Sequence, residues 1–145
     1  TADLPGATLA IFQAAAGNSG WGGMVDYQGA RVTGKRPAYY SLQQLQENIR
    51  GYESIVKVNT ADADIRLYKI TKQGKEFLIA WYGYQKLYLP EDDIPSKNVQ
   101  IDVGASKVTI EKMKISADAN RTTEETDNGI LSVTITPEPL YVFID

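Results

Sequence analysis

The chain has 145 residues, 43% hydrophobic and 23% charged, with a net charge of −3 and a pI near 5.0. That suits one domain, or a small domain with an attached piece, and argues against wholesale disorder. It has no cysteine and no histidine, which excludes disulfides, thiol nucleophiles, Cys/His zinc sites and histidine acid–base chemistry together. No basic stripe offers a phosphate backbone a hold, so nucleic acid is not an expected partner. No apolar run reaches the roughly 20 residues of a membrane helix, and no motif calls for a cofactor.

At the start, Leu9, Phe12 and Ala16 share a helical face, while "TLAIF" reads equally well as a buried strand; over so short a run periodicity leaves both open. "ATLAIFQAAAG" has the look of a signal-peptide core, but Asp3 precedes it and no Met or basic segment does. The start at Thr1 therefore reads as a processed, trimmed or internally cut chain. The compartment stays open, a secreted or extracellular one included. "GNSGWGG" is a glycine-rich loop without the lysine and spacing of a phosphate-binding loop. "GMVDYQG" reads as a short strand ending in a polar turn.

"GKRPAYYSLQQLQENIRGY", Gly34 to Tyr52, predicts a helix. Pro37 suits the first turn. Ala38, Leu42, Leu45 and Ile49 form one apolar stripe at a 3.6-residue period. Arg50 would favour the C-terminal end of the dipole, and Gly51 supplies a left-handed stop.

After Tyr52 the period changes to two. "SIVKVN" alternates, and "DIRLYKI" and "KEFLIAWYG" flank a hairpin loop near Gln73-Gly74. Phe77, Ile79 and Trp81 share one face of the second strand and Leu78, Ala80 and Tyr82 the other, so it should be central. "NVQIDV" puts Val99, Ile101 and Val103 on one side. In "KVTIEKMKI" the apolar phase slips, which predicts a bulge near Glu111-Lys112 or two strands. "ISADANRTTEETDNG" reads as a polar loop ending in an Asn128-Gly129 turn. "ILSVTIT" turns Leu131, Val133 and Ile135 inward, "PEP" breaks the ladder, and "LYVFI" is a last strand. Seven or eight short strands make an antiparallel β-sandwich the expected fold over 53–145.

"GMVDYQG…KRPAYYSLQQL", through Lys35, Pro37, Ala38, Tyr39, Tyr40 and Leu42, resembles the closing segment of a (β/α)8-barrel glycoside hydrolase. "LYKITKQGKEFLIAW" and "VTITPEPLYVFI", through Gly74, Trp81, Pro139 and Tyr141, are similar to the β-sandwich that follows such barrels. The resemblance runs from about Gly20 to Asp145. It implies a mainly β chain in which residues 1–52 are the end of the barrel, a short α/β remnant with the last strand and helix, before the sandwich at 53–145. It also implies that the two catalytic carboxylates, from the fourth and seventh barrel strands, lie upstream, so that the chain alone is inactive. The implied partners are the remainder of the barrel, in the same protein or a separate chain, and carbohydrate. The sandwich would act as a support, packing on the helix stripe.

Within that frame Trp21 and Asp26 are the candidate substrate-binding residues. An indole at a strand mouth can stack on a sugar ring, and a carboxylate can bind hydroxyls. Ordinary packing for Trp21 and a turn role for Asp26 weigh more. Tyr84 and Tyr88 are candidates for a sugar platform, as an independent carbohydrate-binding module would carry. A protein-interaction domain whose helix docks a partner is the other rival. The acidic runs Glu91-Asp92-Asp93 and Glu124-Glu125…Asp127 are read as solvated loops, and no metal site is expected. Asn120-Arg121-Thr122 is a glycosylation sequon, read as a chance occurrence.

Overall fold

The computed structural model describes residues 15–16, 24–28, 31–83, 92–118 and 120–144. They fall into two compact units: one from residues up to Asn48 together with Lys114–Asp118, the other from Ile49–Met113 and the residues after Ala119.

In the first unit β1 (Ala15–Ala16) pairs in parallel with β2 (Val25–Gln28), and β2 pairs antiparallel with β3 (Arg31–Lys35). A register shift between Asp26 and Tyr27 makes Thr33 an extra residue on β3. Residues 15 and 16 are thus strand; the remainder of the ambiguous 7–16 stretch lies outside the described residues. Helix α1 (Pro37–Ile49) starts at the expected proline, with the Arg36 carbonyl accepting from the Tyr39 N–H at 2.9 Å. It stops at Gly51, whose φ of 74° is the left-handed conformation that a glycine adopts without a Cβ penalty. Arg50 lies just beyond the helix, not in its last turn.

The expected apolar stripe is not what α1 buries most deeply. Ala38 is exposed and Leu42, Leu45 and Ile49 are half-buried, whereas Gln44 is 1% exposed. The reason is a backbone group that needs a partner. Gln44 Oε1 accepts the Lys114 N–H at 2.8 Å, and Ser41 Oγ donates to the Lys114 carbonyl at 2.8 Å. Satisfying a segment without a ladder of its own calls for a polar side chain on that helix face.

The second unit is an antiparallel β-sandwich. One sheet has six strands in the order β4 (Ser54–Lys57), β5 (Ile65–Lys72), β6 (Lys75–Tyr82), β11 (Leu140–Ile144), β8 (Lys107–Lys112) and β9 (Arg121–Glu125). The other has two, β10 (Ile130–Ile135) and β7 (Lys97–Asp102). β5 and β6 are joined by the expected tight turn, with Gln73 at φ 53° and Gly74 at φ 69°. β6 is central, as its two apolar faces require. Leu78, Ala80 and Tyr82 join Leu67, Ile110 and Val142 in the core that faces Ile101, Leu131 and Ile135 of the smaller sheet. On the opposite face Ile70, Phe77 and Ile79 are also buried. There Tyr68 stacks on Trp81 with ring centroids 5.4 Å apart, and Phe77 on Phe143 at 5.3 Å.

Two expectations are corrected. β8 runs without a register shift to Lys112 and then leaves the sheet, so the phase slip at Glu111-Lys112 marks a strand end and not a bulge. The polar stretch before Asn128 contains β9, which pairs with β8 from Lys107↔Glu125 to Glu111↔Arg121. All five of its residues are exposed, as an edge strand permits, and it therefore carries no apolar alternation. After it the chain crosses to the smaller sheet through the Asn128-Gly129 turn, closed by the Asp127↔Ile130 bridge.

Candidate functional site

Of the residues singled out in the sequence, Trp21, Tyr84 and Tyr88 lie outside the described residues. Asp26 is in β2. Its Oδ1 accepts from Arg36 Nε and lies 2.7 Å from Arg36 Nη2, a charge-assisted pair that fixes the carboxylate beside the first turn of α1. Gly34 keeps this corner open: a Cβ there would sit 3.1 Å from Asp26 Oδ2. Lys35 Nζ lies 4.3 Å from the centre of the Tyr39 ring, which meets Tyr40 edge-on. Asp26, Lys35, Arg36 and Tyr39 thus form one polar corner where β2, β3 and α1 meet.

The sandwich carries a groove of about 1030 Å³, lined by residues 58–62, Ile65 and Leu67 on one side and by β7 and residues 132–134 of β10 on the other. Among the described residues two strands face a six-stranded sheet, and the groove lies beside them. Along β7 the inward residues Val99 and Ile101 alternate with the outward Asn98, Gln100 and Asp102, as the sequence pattern indicated. Thr134 donates across the pair to Asn98 Oδ1 at 2.7 Å.

One end of the groove is tied shut by charge. Lys97 Nζ donates to Asp62 Oδ2 and lies 3.8 Å from Asp64 Oδ2 and 4.9 Å from the centre of the Tyr82 ring. The Asp62 carboxyl is held below the usual carboxylate range, first by the Lys97 hydrogen bond and then by the Asp64 N–H, 2.9 Å from its Oδ1. The Lys97 ammonium is pushed up by the same bond. Nothing in the sequence announces this pair, because 35 positions separate the two residues and each sits in an ordinary polar setting.

A second cluster lies on the opposite face of the larger sheet. Glu111 is 1% exposed and accepts from Arg121 on the neighbouring edge strand, Nε at 2.9 Å and Nη2 at 2.7 Å from its Oε2. Tyr141 is Glu111's register partner on the other side. Burial, and next the Glu111 charge, push the Tyr141 phenol up to about 12. Among the described residues no three acidic groups gather closely enough to hold a metal ion. No described helix is long and apolar enough to cross a membrane.

No family model and no curated protein matches the chain. Among solved structures it is similar to a 4-O-α-L-rhamnosyl-β-D-glucuronidase from Fusarium oxysporum 12S, crystallised as a Rha-GlcA complex. The two share 14% identity with a TM-score of 0.52, over 66% of this chain and 27% of that one. At that identity the likeness is one of fold. This chain therefore has the fold of part of a glycosidase structure, and spans little more than a quarter of that enzyme.

Proposed function

We propose that the chain is the C-terminal part of a carbohydrate-active glycoside hydrolase. Residues 1–52 are the last strand and helix of its (β/α)8 barrel, and 53–145 are a sandwich that supports the barrel. The observation that carries the reading is the fold likeness to a glycosidase over 66% of this chain but only 27% of that one. The order of elements agrees with it: among the described residues a parallel strand pair, β1 with β2, precedes one helix and then strands alone. In such barrels the reacting groups stand at the C-terminal ends of the strands. Retaining enzymes need two carboxylates about 5–5.5 Å apart. On this reading both belong to upstream strands, and the chain alone does no chemistry. Trp21 and Asp26 would border the sugar, with Arg36 orienting the Asp26 carboxylate. The partners are the remaining barrel, in the same protein or in a separate chain, and a carbohydrate substrate.

The test is hydrolysis of a panel of p-nitrophenyl glycosides and glycuronides by the 145-residue chain and by the longest protein its gene encodes. Turnover is expected from the longer protein only. Turnover by the chain alone, or a gene with no β/α units upstream, overturns the reading.

A further inference from the structure

The turn that carries the chain from β9 into β10 has two central residues. The Asp127 N–H donates to the Ile130 carbonyl at 3.0 Å, and the Ile130 N–H to the Asp127 carbonyl at 2.9 Å. Asn128 and Gly129 stand between them, both left-handed, with φ 52° and 83°. We propose that Asn128 is a site of spontaneous deamidation, and that its isoaspartyl product releases the start of β10 from the end of β7. The site is complete within these residues and draws on no other part of a longer protein.

The reaction needs only the side-chain amide, the next backbone nitrogen and water. Gly129 N bonds to Asn128 Cγ, and the Cγ–Nδ2 bond breaks. The Gly129 N–H proton passes through water to Nδ2, which leaves as ammonia, and a cyclic imide remains. Water then opens the ring, giving its hydroxyl to one carbonyl carbon and its proton to the ring nitrogen. Opening at Cγ yields aspartate. Opening at the backbone carbonyl yields isoaspartate, whose main chain runs through the side chain and is one methylene longer. Nothing is oxidised or reduced.

The turn favours the first step in three ways. The attacking nitrogen belongs to a glycine, so no Cβ crowds its approach; every other asparagine of the sequence precedes a residue that has one. The pair that closes the turn uses the Asp127 and Ile130 amides, not the Gly129 N–H. Asn128 is exposed, and its Nδ2 donates to Asp127 Oδ1 at 3.0 Å, which holds the departing group at the surface where water reaches it.

The two products differ in what they break. The Gly129 carbonyl accepts from the Val103 N–H at 2.9 Å and the Gly104 N–H at 3.2 Å, and so joins the start of β10 to the end of β7. Gly104 is itself left-handed, at φ 65°, and its N–H also lies 3.1 Å from Asp102 Oδ1. The backbones are close: a Cβ on Gly129 would meet the Gly104 Cα at 3.2 Å. An added methylene has no room there, and it displaces either the Gly129 carbonyl or the 127–130 pair. Aspartate keeps the original chain path and tolerates the left-handed conformation, so it adds only a charge beside Asp127.

The test is to age the 145-residue chain at pH 8 and digest it with trypsin, which cuts at Arg121 and so puts Asn120 and Asn128 in separate peptides. Asn120 is also exposed but precedes an arginine. The Asn128 peptide should exchange NH2 for OH roughly tenfold faster than the Asn120 peptide, and protein isoaspartyl methyltransferase should label it. In the isoaspartyl fraction the Val103 and Gly104 amides should exchange with deuterium roughly tenfold faster than in fresh chain. Asn128→Asp should leave both amides as protected as in fresh chain. Asn128→Gly removes the reacting amide and keeps a residue at ease in the left-handed region. Its unfolding midpoint should hold through the incubation while that of the native chain falls. Equal rates at Asn120 and Asn128, or a product that the methyltransferase does not label, overturn the proposal. So does an isoaspartyl fraction with unchanged protection at Val103 and Gly104, or an Asn128→Gly chain that loses its midpoint as fast as the native one.

Discussion

Arg121 reaches from the fully exposed strand β9 to place two guanidinium nitrogens, at 2.9 and 2.7 Å, on one oxygen of the buried Glu111. The pair is asymmetric. The arginine side chain is 55% exposed, the glutamate 1%. Removing the exposed partner leaves a carboxylate in a poorly solvated place. Arg121→Ala should therefore cost about 1–3 kcal/mol in chemical denaturation, less than for a pair buried at both ends because solvent reaches the guanidinium side. Adding Glu111→Gln should recover part of that loss, which a double-mutant cycle will read directly.

Tyr141 lies beside that carboxylate, and its phenol is pushed up to about 12 by burial and then by the Glu111 charge. The unfolded chain ionises the same phenol near its ordinary value of 10.0. A folded-state pKa above the unfolded one contributes stability that is complete below pH 10 and lost as pH rises toward 12. The unfolding midpoint of the native chain should fall faster over that window than the midpoint of Tyr141→Phe. Parallel curves would show that the buried phenol ionises no later than an exposed one.

Two glycines at left-handed positions separate backbone strain from crowding. Gly74 has φ 69° and open space where a Cβ would stand, whereas a Cβ on Gly129, at φ 83°, would meet the Gly104 Cα at 3.2 Å. Gly74→Ala should cost about 1 kcal/mol from conformation alone. Gly129→Ala should cost more, about 2 kcal/mol, because its neighbour is backbone and cannot rotate away. Equal losses in urea titrations would mean that the Asn128-Gly129 turn relaxes.

These features differ in how far the sequence disclosed them. The tight turns at Gln73-Gly74 and Asn128-Gly129, the stop at Gly51 and the two-faced β6 are local patterns, and each is found where its residues indicated. β9 was not legible. An edge strand exposed at every position has no alternation to display, and "RTTEE" is held by its pairing with β8. Nor was the groove, where among the described residues six strands face two. Its Lys97–Asp62 tie, like the Arg121–Glu111 pair, joins residues that only the fold brings together. Asp26 was expected in a turn, but it lies within β2 opposite Gly34, and its pairing with Arg36 depends on how β3 delivers the chain into α1.

Gln44 shows how far a tertiary demand can override a helix pattern. It stands among glutamine and glutamate residues on what periodicity marks as the outer face of α1, yet it is the most buried residue of the helix. Its Oε1 accepts the Lys114 N–H at 2.8 Å, one turn on from Ser41, which binds the Lys114 carbonyl. Gln44→Ala raises helix propensity but takes away that acceptor and leaves a gap at a 1%-exposed site. The loss of the acceptor should win, with a net destabilisation of about 1–2 kcal/mol. Gln46→Ala, at an exposed position of the same helix, should be neutral within about 0.5 kcal/mol. Gln44→Glu keeps the length and an oxygen acceptor, and its carboxylate suits the Lys114 N–H, but it forces a charge into the buried site. It should fall between the two at pH 4 and be the worst of the three at pH 8, since ionisation there gives up the solvation that an exposed carboxylate keeps. If Gln44→Ala and Gln46→Ala melt alike, the hydrogen bond to Lys114 holds nothing in place.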